Sequence, residues 1–244
     1  MGVKTVLIDA GGVLLVPDPN RVAIVLAPFG VTVDAAASAR GHYVGVAALT
    51  RTVEGDRESF MPYHEAFVGS CGVVGTGAKD AVNALADEFM RMPIFKCVLP
   101  GVTDALRALD ALGMQLAIVT NSGGYAEDQL HETSVCQVGP GPLPEVAAVF
   151  DSAIVGYEKP DPRIFQAALD TLGVRPEEAV YVGDLYDVDV IGARAAGLAA
   201  VLLTPTGSAP APGCHIASSL HDLVDVLLSR EALMIPNPSS RGDH

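Results

Sequence analysis

Cations are scarce in this chain: 15 lysines and arginines stand against 29 aspartates and glutamates, giving a formal net charge of −14 over 244 residues. A surface of that sign repels polyanions. It argues against nucleic acid or an anionic membrane as the main partner, although a local basic pocket stays compatible with it. Long hydrophobic runs are missing too. No apolar stretch reaches the roughly 18 residues that span a bilayer, and the chain enters a strand pattern at once, without a charged n-region, apolar h-region and cleavage site. The expectation is a soluble, cytoplasmic protein. Cysteine is rare and scattered: Cys71, Cys97, Cys136 and Cys214 form no Cys-x-x-Cys pair. That spacing speaks for reduced, buried thiols and against a zinc site or a disulfide framework. Internal repeats and long low-complexity segments are also absent.

What remains is a chain half hydrophobic and only 18% charged, enough to build a substantial core as one large domain, or as a core with a smaller insert. Val6-Leu7-Ile8 is an apolar run without alternation, the pattern of a parallel strand covered on both faces. It ends at Asp9, Ala10 and two glycines, Gly11 and Gly12. A carboxylate at a strand's carboxyl end, followed by backbone free to turn, lies where open α/β sheets place their ligands. Taken alone, Asp9 reads equally as the start of an ordinary turn.

Pro17-Asp18-Pro19 breaks regular structure and reads as an exit from the first strand's domain. From Arg21 to about Phe95 the pattern is helical, with Arg40, His42, Tyr43, Arg51, Arg57, Tyr63 and His64 concentrated there. A solvated helix face would look the same. His42 and Tyr43 are adjacent on one helix, so at most one is expected to face any given pocket. Leu99-Pro100-Gly101 marks the return. A helix over Val102–Leu112 is followed by a second strand over Met114–Val119, ending in Thr120-Asn121-Ser122-Gly123-Gly124, whose hydroxyls and amides could hold an oxyanion. A helix over Tyr125–Glu132 and a Pro/Gly-rich loop over Gln137–Pro144 come next.

The region Val146–Val155 reads as a third strand. Lys159 follows in a loop held by Pro160 and Pro162, before a helix faced by Phe165, Ala168, Leu169 and Leu172. Ala179–Val182 is a fourth strand running into Gly183-Asp184, with Asp187 and Asp189 close behind. Asp187 fits a helix N-cap, whereas Asp184 repeats the placement of Asp9. Leu198–Leu203 gives a fifth strand. Leu220, Leu223, Val224, Leu227 and Leu228 mark a closing amphipathic helix, before a polar tail at 236–244.

Strand alternating with helix in this way predicts an α/β fold with a doubly wound parallel sheet. Such a sheet brings Asp9, Thr120, Lys159 and Asp184 to one crevice at the strands' carboxyl edge. The set is chemically coherent: carboxylates for a divalent cation, a hydroxyl and an ammonium for phosphate oxygens, and a carboxylate nucleophile.

The ordered set Asp9-Ala-Gly-Gly-Val13, Thr120-Asn121, Lys159-Pro-Asp-Pro162 and Gly183-Asp184-x4-Asp189 resembles the haloacid dehalogenase (HAD) superfamily. Pro100-Gly101, Gly156-x2-Lys159 and Gly192-Ala-Arg-x-Ala-Gly197 are similar to the same family. The resemblance implies a Rossmann-like core over 1–16 and 99–235 and a helical cap over 17–98. It also implies Mg²⁺ as cofactor and a small phosphorylated substrate. Asp9 would be the nucleophile that becomes an aspartyl-phosphate, and Thr120, Asn121 and amides of their loop would bind phosphoryl oxygens. Lys159 would orient Asp9 and offset charge on nucleophile and phosphate. Asp9, Asp184 and the Gly11 carbonyl would hold the metal directly and Asp189 through water, an oxygen-rich set of the kind Mg²⁺ prefers.

One departure stands out. The family's phosphatases usually carry a second aspartate two residues after the nucleophile, as leaving-group acid, and this chain has Gly11 there. Such an acid contributes about 10²–10⁴-fold. The cap could supply a substitute, His42 first, then Tyr43 or His64. The substrate could be an acyl or enol phosphate that needs little protonation. Otherwise the chain is a catalytically weak or inactive binding protein. A dehalogenase needs no acid at position 11, but the resemblance gives it no use for the pair Asp184 and Asp189. A phosphonate-cleaving enzyme would need a cap lysine, for which only Lys79 and Lys96 offer themselves.

Overall fold

The computed structural model describes residues 2–49, 58–91, 93–205 and 212–229. Arg51, Arg57, the side chain of Leu228 and the tail 236–244 lie outside the described residues. The chain opens with β1 (Thr5–Ile8) and a short β2 (Leu15–Pro17), followed by four helices: α1 (Pro19–Leu26), α2 (Ala35–Ala48), α3 (Met61–Ser70) and α4 (Ala78–Arg91). Then come β3 (Phe95–Val98), α5 (Val102–Ala111), β4 (Gln115–Thr120), α6 (Ala126–Glu132) and two two-residue strands, β5 (Gln137–Val138) and β6 (Glu145–Val146). The remainder is β7 (Val149–Asp151), α7 (Ser152–Val155), α8 (Pro162–Leu172), β8 (Ala179–Gly183), α9 (Ile191–Ala195), β9 (Ala199–Leu203), β10 (His215–Ala217) and α10 (Leu220–Ser229).

The main sheet has six strands in the order β10-β9-β8-β1-β4-β7, and every adjacent pair is parallel. The chain winds outward from β1 through β4 and β7, then crosses back to lay β8 on the other side of β1 and winds out through β9 and β10. The reversal opens a crevice at the carboxyl ends of β1 and β8, where a doubly wound sheet binds its ligands. Alternation sorts the core into two layers. Val6, Ile8, Leu116, Ile118, Val180 and Val182 pack on one side with Leu106 and Leu109 of α5 and Leu220 and Leu223 of α10. Leu7, Ala117, Val119 and Tyr181 face the other way, onto Ile164, Phe165, Ala168 and Leu169 of α8. With both faces covered, the strands read as continuous apolar runs.

The four helices between β2 and β3 bury their own cluster, including Val22, Leu26, Tyr63, Phe67 and Leu85. Their ends follow local chemistry. Asp18 caps α1, with Pro19 in its first turn, and Asp34 accepts from the Ala37 amide to cap α2. The helical segment connects to the sheet through an antiparallel ribbon in which Leu15 opposes Val98 and Val16 opposes Cys97. No described helix is long and apolar enough to cross a membrane.

Several elements differ from the sequence expectation. The third strand is only Val149–Asp151, because Asp151 caps a short helix by accepting from the Ala153 amide. The ribbon strands β2 and β3 and the sixth sheet strand, β10, escaped periodicity because runs of three or four residues carry almost none. Asp187 does not cap the helix after β8. The turn beginning at Tyr186 is a wide, π-type turn without a side-chain cap. It carries Asp189 back beneath the strand end instead.

Candidate active site

Register brings the sequence-predicted residues together. Ile8 pairs with Ile118 on one side and Val182 on the other, and the Asp9 amide continues the ladder to the Val182 carbonyl at 2.9 Å. Asp9, Thr120 and Asp184 therefore leave three adjoining strands at the same edge, and all three are buried. Carboxylate oxygens of Asp9, Asp184 and Asp189 lie within 4.8 Å of one another. Three buried acids at that spacing repel unless cations lie among them.

Lys159 is one such cation. Its side chain is 2% exposed, and its Nζ lies 2.9 Å from Asp9 Oδ1 and 2.8 Å from Asp189 Oδ1. The third ammonium proton is donated to the Tyr181 hydroxyl at 2.8 Å. All three N–H groups are thus allocated inside the protein. Burial alone would lower the Lys159 pKa, but Asp189 and Asp9 outweigh it and the net shift is upward. Asp9 behaves in the opposite sense. Burial raises its carboxyl to about 7, assisted by Asp189 and Asp184 and opposed by Lys159. Asp9 Oδ1 also accepts from the Ala10 amide at 2.7 Å.

Asp189 has no spare acceptor direction. Oδ1 takes Lys159 and the Tyr181 hydroxyl, while Oδ2 takes the amides of Asp184 and Leu185 at 3.1 and 2.9 Å. A carboxylate has about four lone-pair sites, and all four are engaged. Gly183 makes this possible, since a Cβ there would overlap the Asp189 carboxylate. Asp189 is thereby a knot tying β8, its following loop and the lysine, in a position to support a metal site from behind.

Asn121 is committed as well. Its Nδ2 donates to the Lys159 carbonyl at 2.9 Å and its Oδ1 accepts from the Lys159 amide at 2.8 Å, so it clamps the lysine's backbone. Two amides of the loop after Thr120 are also taken: Gly124 donates to Asp151 and Ser122 to the Ser152 hydroxyl.

The helical segment reaches the crevice through α2. His42 Nε2 lies 2.9 Å from Asp184 Oδ2, and its Nδ1 lies 2.9 Å from the Tyr63 hydroxyl. With the proton on Nε2, the ring donates to Asp184 and accepts from Tyr63. Burial raises the Asp184 carboxyl and the hydrogen bond from His42 opposes it. Tyr43 donates to the Gly12 carbonyl at 2.8 Å. Tyr43 reaches the loop after β1 by its hydroxyl, while His42 reaches Asp184. The rings sit edge to face, 5.0 Å apart, and two long side chains converge on Gly12 because the loop runs beneath both. Gly12 tolerates this closeness by lacking a side chain: φ is +69°, and an added Cβ would meet Asp184 and stand 2.6 Å from His42 Nε2.

At Gly11 an added Cβ would meet the Phe95 ring at 3.5 Å. Phe95 in turn packs edge-on against His42, 5.4 Å between centroids. A contact of 3.5 Å is an ordinary one, so position 11 has space for a side-chain carbon beside the Phe95 ring. His64 is not brought to the site; it is buried among aromatics, 4.9 Å from the Phe89 ring and 5.2 Å from Tyr63. Sequence reasoning missed Tyr181, Tyr63 and Phe95 as parts of this arrangement. The available signal at Tyr181 was a hydroxyl in the middle of an otherwise apolar strand.

Comparison with known proteins agrees with this architecture. Residues 3–197 match the model of the haloacid dehalogenase-like hydrolase family. A phosphoserine phosphatase of Thermus thermophilus is 38% identical over 125 residues, covering 51% of this chain and 48% of that protein. The haloacid dehalogenase-like hydrolase domain-containing protein 3 of Bos taurus is 35% identical over 162 residues, 62% of each. The chain thus spans less than two thirds of the length of either relative. In fold, the magnesium-bound HAD-hydrolase YfnB of Bacillus subtilis superposes with a TM-score of 0.60 at 18% identity, covering 93% of this chain and 99% of that one. With four fifths of its length matched and the strand order, crevice and acidic set in place, the chain belongs to the haloacid dehalogenase-like hydrolase family.

Proposed function

We propose that this chain is a phosphohydrolase acting on a small phosphorylated metabolite through Asp9, with Mg²⁺ as cofactor and residues 17–98 as a cap over a core formed by 1–16 and 99–235. The observation that carries the reading is the buried Asp9–Lys159 pair, 2.9 Å apart, beside carboxylate oxygens grouped within 4.8 Å. The phosphatase name of the Thermus relative points the same way.

The donor set fits Mg²⁺: hard oxygen ligands from Asp9 and Asp184 with Asp189 behind them, to which the resemblance would add the Gly11 carbonyl. When bound, the ion would supply positive charge that keeps Asp9 ionised and screens it from an anionic phosphate. The protein's own groups do the rest. Lys159 and the Ala10 amide hold Asp9 Oδ1, which leaves Oδ2 to attack phosphorus. The P–O bond to the leaving group breaks as the Asp9–phosphorus bond forms, and water then hydrolyses the acyl phosphate. Thr120 faces the phosphoryl oxygens from β4. Lys159, with its protons allocated, acts by fixing Asp9 and lending charge at short range. Asn121 acts through its clamp on Lys159.

In this reading the proton usually supplied from position 11 comes from His42 as an imidazolium on a cap helix. Its Nε2–H turns from Asp184 to the leaving group, which takes the proton and leaves a neutral ring, while Nδ1–H donates to the Tyr63 hydroxyl and keeps the ring oriented. Tyr43 seals the loop by holding the Gly12 carbonyl. Turnover then depends on cap closure, since His42 arrives with α2.

The test is phosphate release from a broad panel of phosphate esters and acyl phosphates, with Mg²⁺ and with chelator, beside Asp9→Asn. Metal-dependent release that disappears in Asp9→Asn supports the reading. Substrate binding without release by the wild type would favour a non-catalytic binder, and halide release from haloacids would replace the phosphohydrolase reading altogether.

A further inference from the structure

Tyr181 sits at the middle of β8, is fully buried, and belongs by register to the apolar layer beneath the crevice. Its ring packs edge-on against Phe165, centroids 4.9 Å apart at 87°, which is what that layer requires. Its hydroxyl is not needed for packing, and a phenylalanine would fill the same space. Yet the oxygen lies 2.8 Å from Lys159 Nζ, 2.9 Å from Asp189 Oδ1 and 3.2 Å from the Val119 carbonyl. A buried hydroxyl without partners costs stability, so one that stays must be engaged. This one receives a proton from the ammonium and gives its own to Asp189.

We propose that Tyr181 is a positioning residue that aims the Lys159 ammonium at Asp9. The inference rests on the reading of Asp9 as nucleophile. An ammonium has three donors, arranged at tetrahedral angles. Two point at carboxylates, which would accept it over a range of rotations. The third is received by a neutral hydroxyl anchored on a rigid central strand. Fixing it fixes the rotation of the other two, and so the oxygen of Asp9 that Lys159 holds. Because the hydroxyl also donates to Asp189, it ties Asp189 to the same frame without adding charge to a crowded acidic site. Tyr181 touches neither substrate nor the attacking oxygen, so its contribution is geometric.

Tyr181→Phe removes the hydroxyl and keeps the ring. The chain has only four lysines, Lys4, Lys79, Lys96 and Lys159, and the other three are exposed, so a lysine labelled with ¹⁵N at Nζ gives a spectrum simple enough to assign. In the metal-free wild type, the Lys159 ammonium should give a sharp, slowly exchanging signal. In Tyr181→Phe that signal should shift and broaden while the circular dichroism stays unchanged. With the phosphate substrate identified by the panel above, kcat should fall roughly five- to tenfold, the worth of one hydrogen bond, with KM unchanged.

An unaltered Lys159 signal in folded Tyr181→Phe overturns the proposal, whatever the activity. An altered signal supports it even if the protein proves not to be a phosphohydrolase, so the two readings fail separately. If Tyr181→Phe does not fold, Lys159→Met serves from the other side. The Tyr181 ¹³Cζ resonance should move in that variant, and a resonance left in place overturns the proposal.

Discussion

Replacing Lys159 by methionine tests the electrostatics of the crevice without reference to any substrate. The side chain is 2% exposed and lies within 2.9 Å of two carboxylates. Removing one partner of a buried ion pair costs about 3–5 kcal/mol, because the charges left behind stay desolvated. For a chain of this size that is a fall in Tm of roughly 6–20 °C.

The cost should depend on pH in a stated direction. Asp9 in the folded protein titrates at about 7, against 3.8 for an ordinary aspartate. Its contribution to stability is therefore fully present below the unfolded value and is lost as pH rises through the folded one. Lys159 opposes that shift, so in Lys159→Met the Asp9 carboxyl rises further and stays neutral to higher pH. At about pH 5.5 Asp9 is protonated in both proteins, and the variant lacks the ammonium's contacts with Asp189 and the Tyr181 hydroxyl. At about pH 8 the wild type gains an ionised Asp9 held by an ammonium, and the variant does not.

Urea melts at both pH values should thus show a deficit that grows with pH. Added Mg²⁺ should shrink it at the higher pH by supplying the missing positive charge. A variant as stable as the wild type, or a deficit independent of pH, would refute the account of Asp9 and Lys159 as a coupled buried pair.

Two further outcomes follow from the geometry. Gly183→Ala drives a methyl group into the Asp189 carboxylate; it should destabilise the fold by about 1–3 kcal/mol and weaken Mg²⁺ binding, read by thermal melts and calorimetry, and a neutral result would mean that Asp189 can move freely. His42→Gln should lower turnover of alkyl phosphate esters by about 10²-fold or more while sparing acyl phosphates, and equal losses on both classes would remove His42 from proton donation.

The sequence by itself determined the order of β1, β4, β8 and β9 and of the helices packed on them, because buried parallel strands leave uninterrupted apolar runs and their helices leave three- and four-residue periodicity. It also determined which residues would meet: Asp9, Thr120 and Asp184 each end such a run, and a parallel sheet puts all those ends on one edge. The helix start at Pro162 was legible for the same local reason, with Asp161 as its N-cap, whereas Asp18-Pro19 read only as a break and proves to cap a helix too. What tertiary structure alone decided was how the polar groups divide the work. Nothing in the spacing of Asp189 says that its four acceptor sites are consumed by Lys159, Tyr181 and two amides. Nothing near Asn121 says that it clamps the backbone of a residue 38 positions away. Phe95 lies beside Gly11, and His42 reaches Asp184 across 142 positions of sequence. Periodicity reports which face of an element is buried, whereas hydrogen-bond partners are set by the direction and reach of single side chains across elements that only the folded chain brings together.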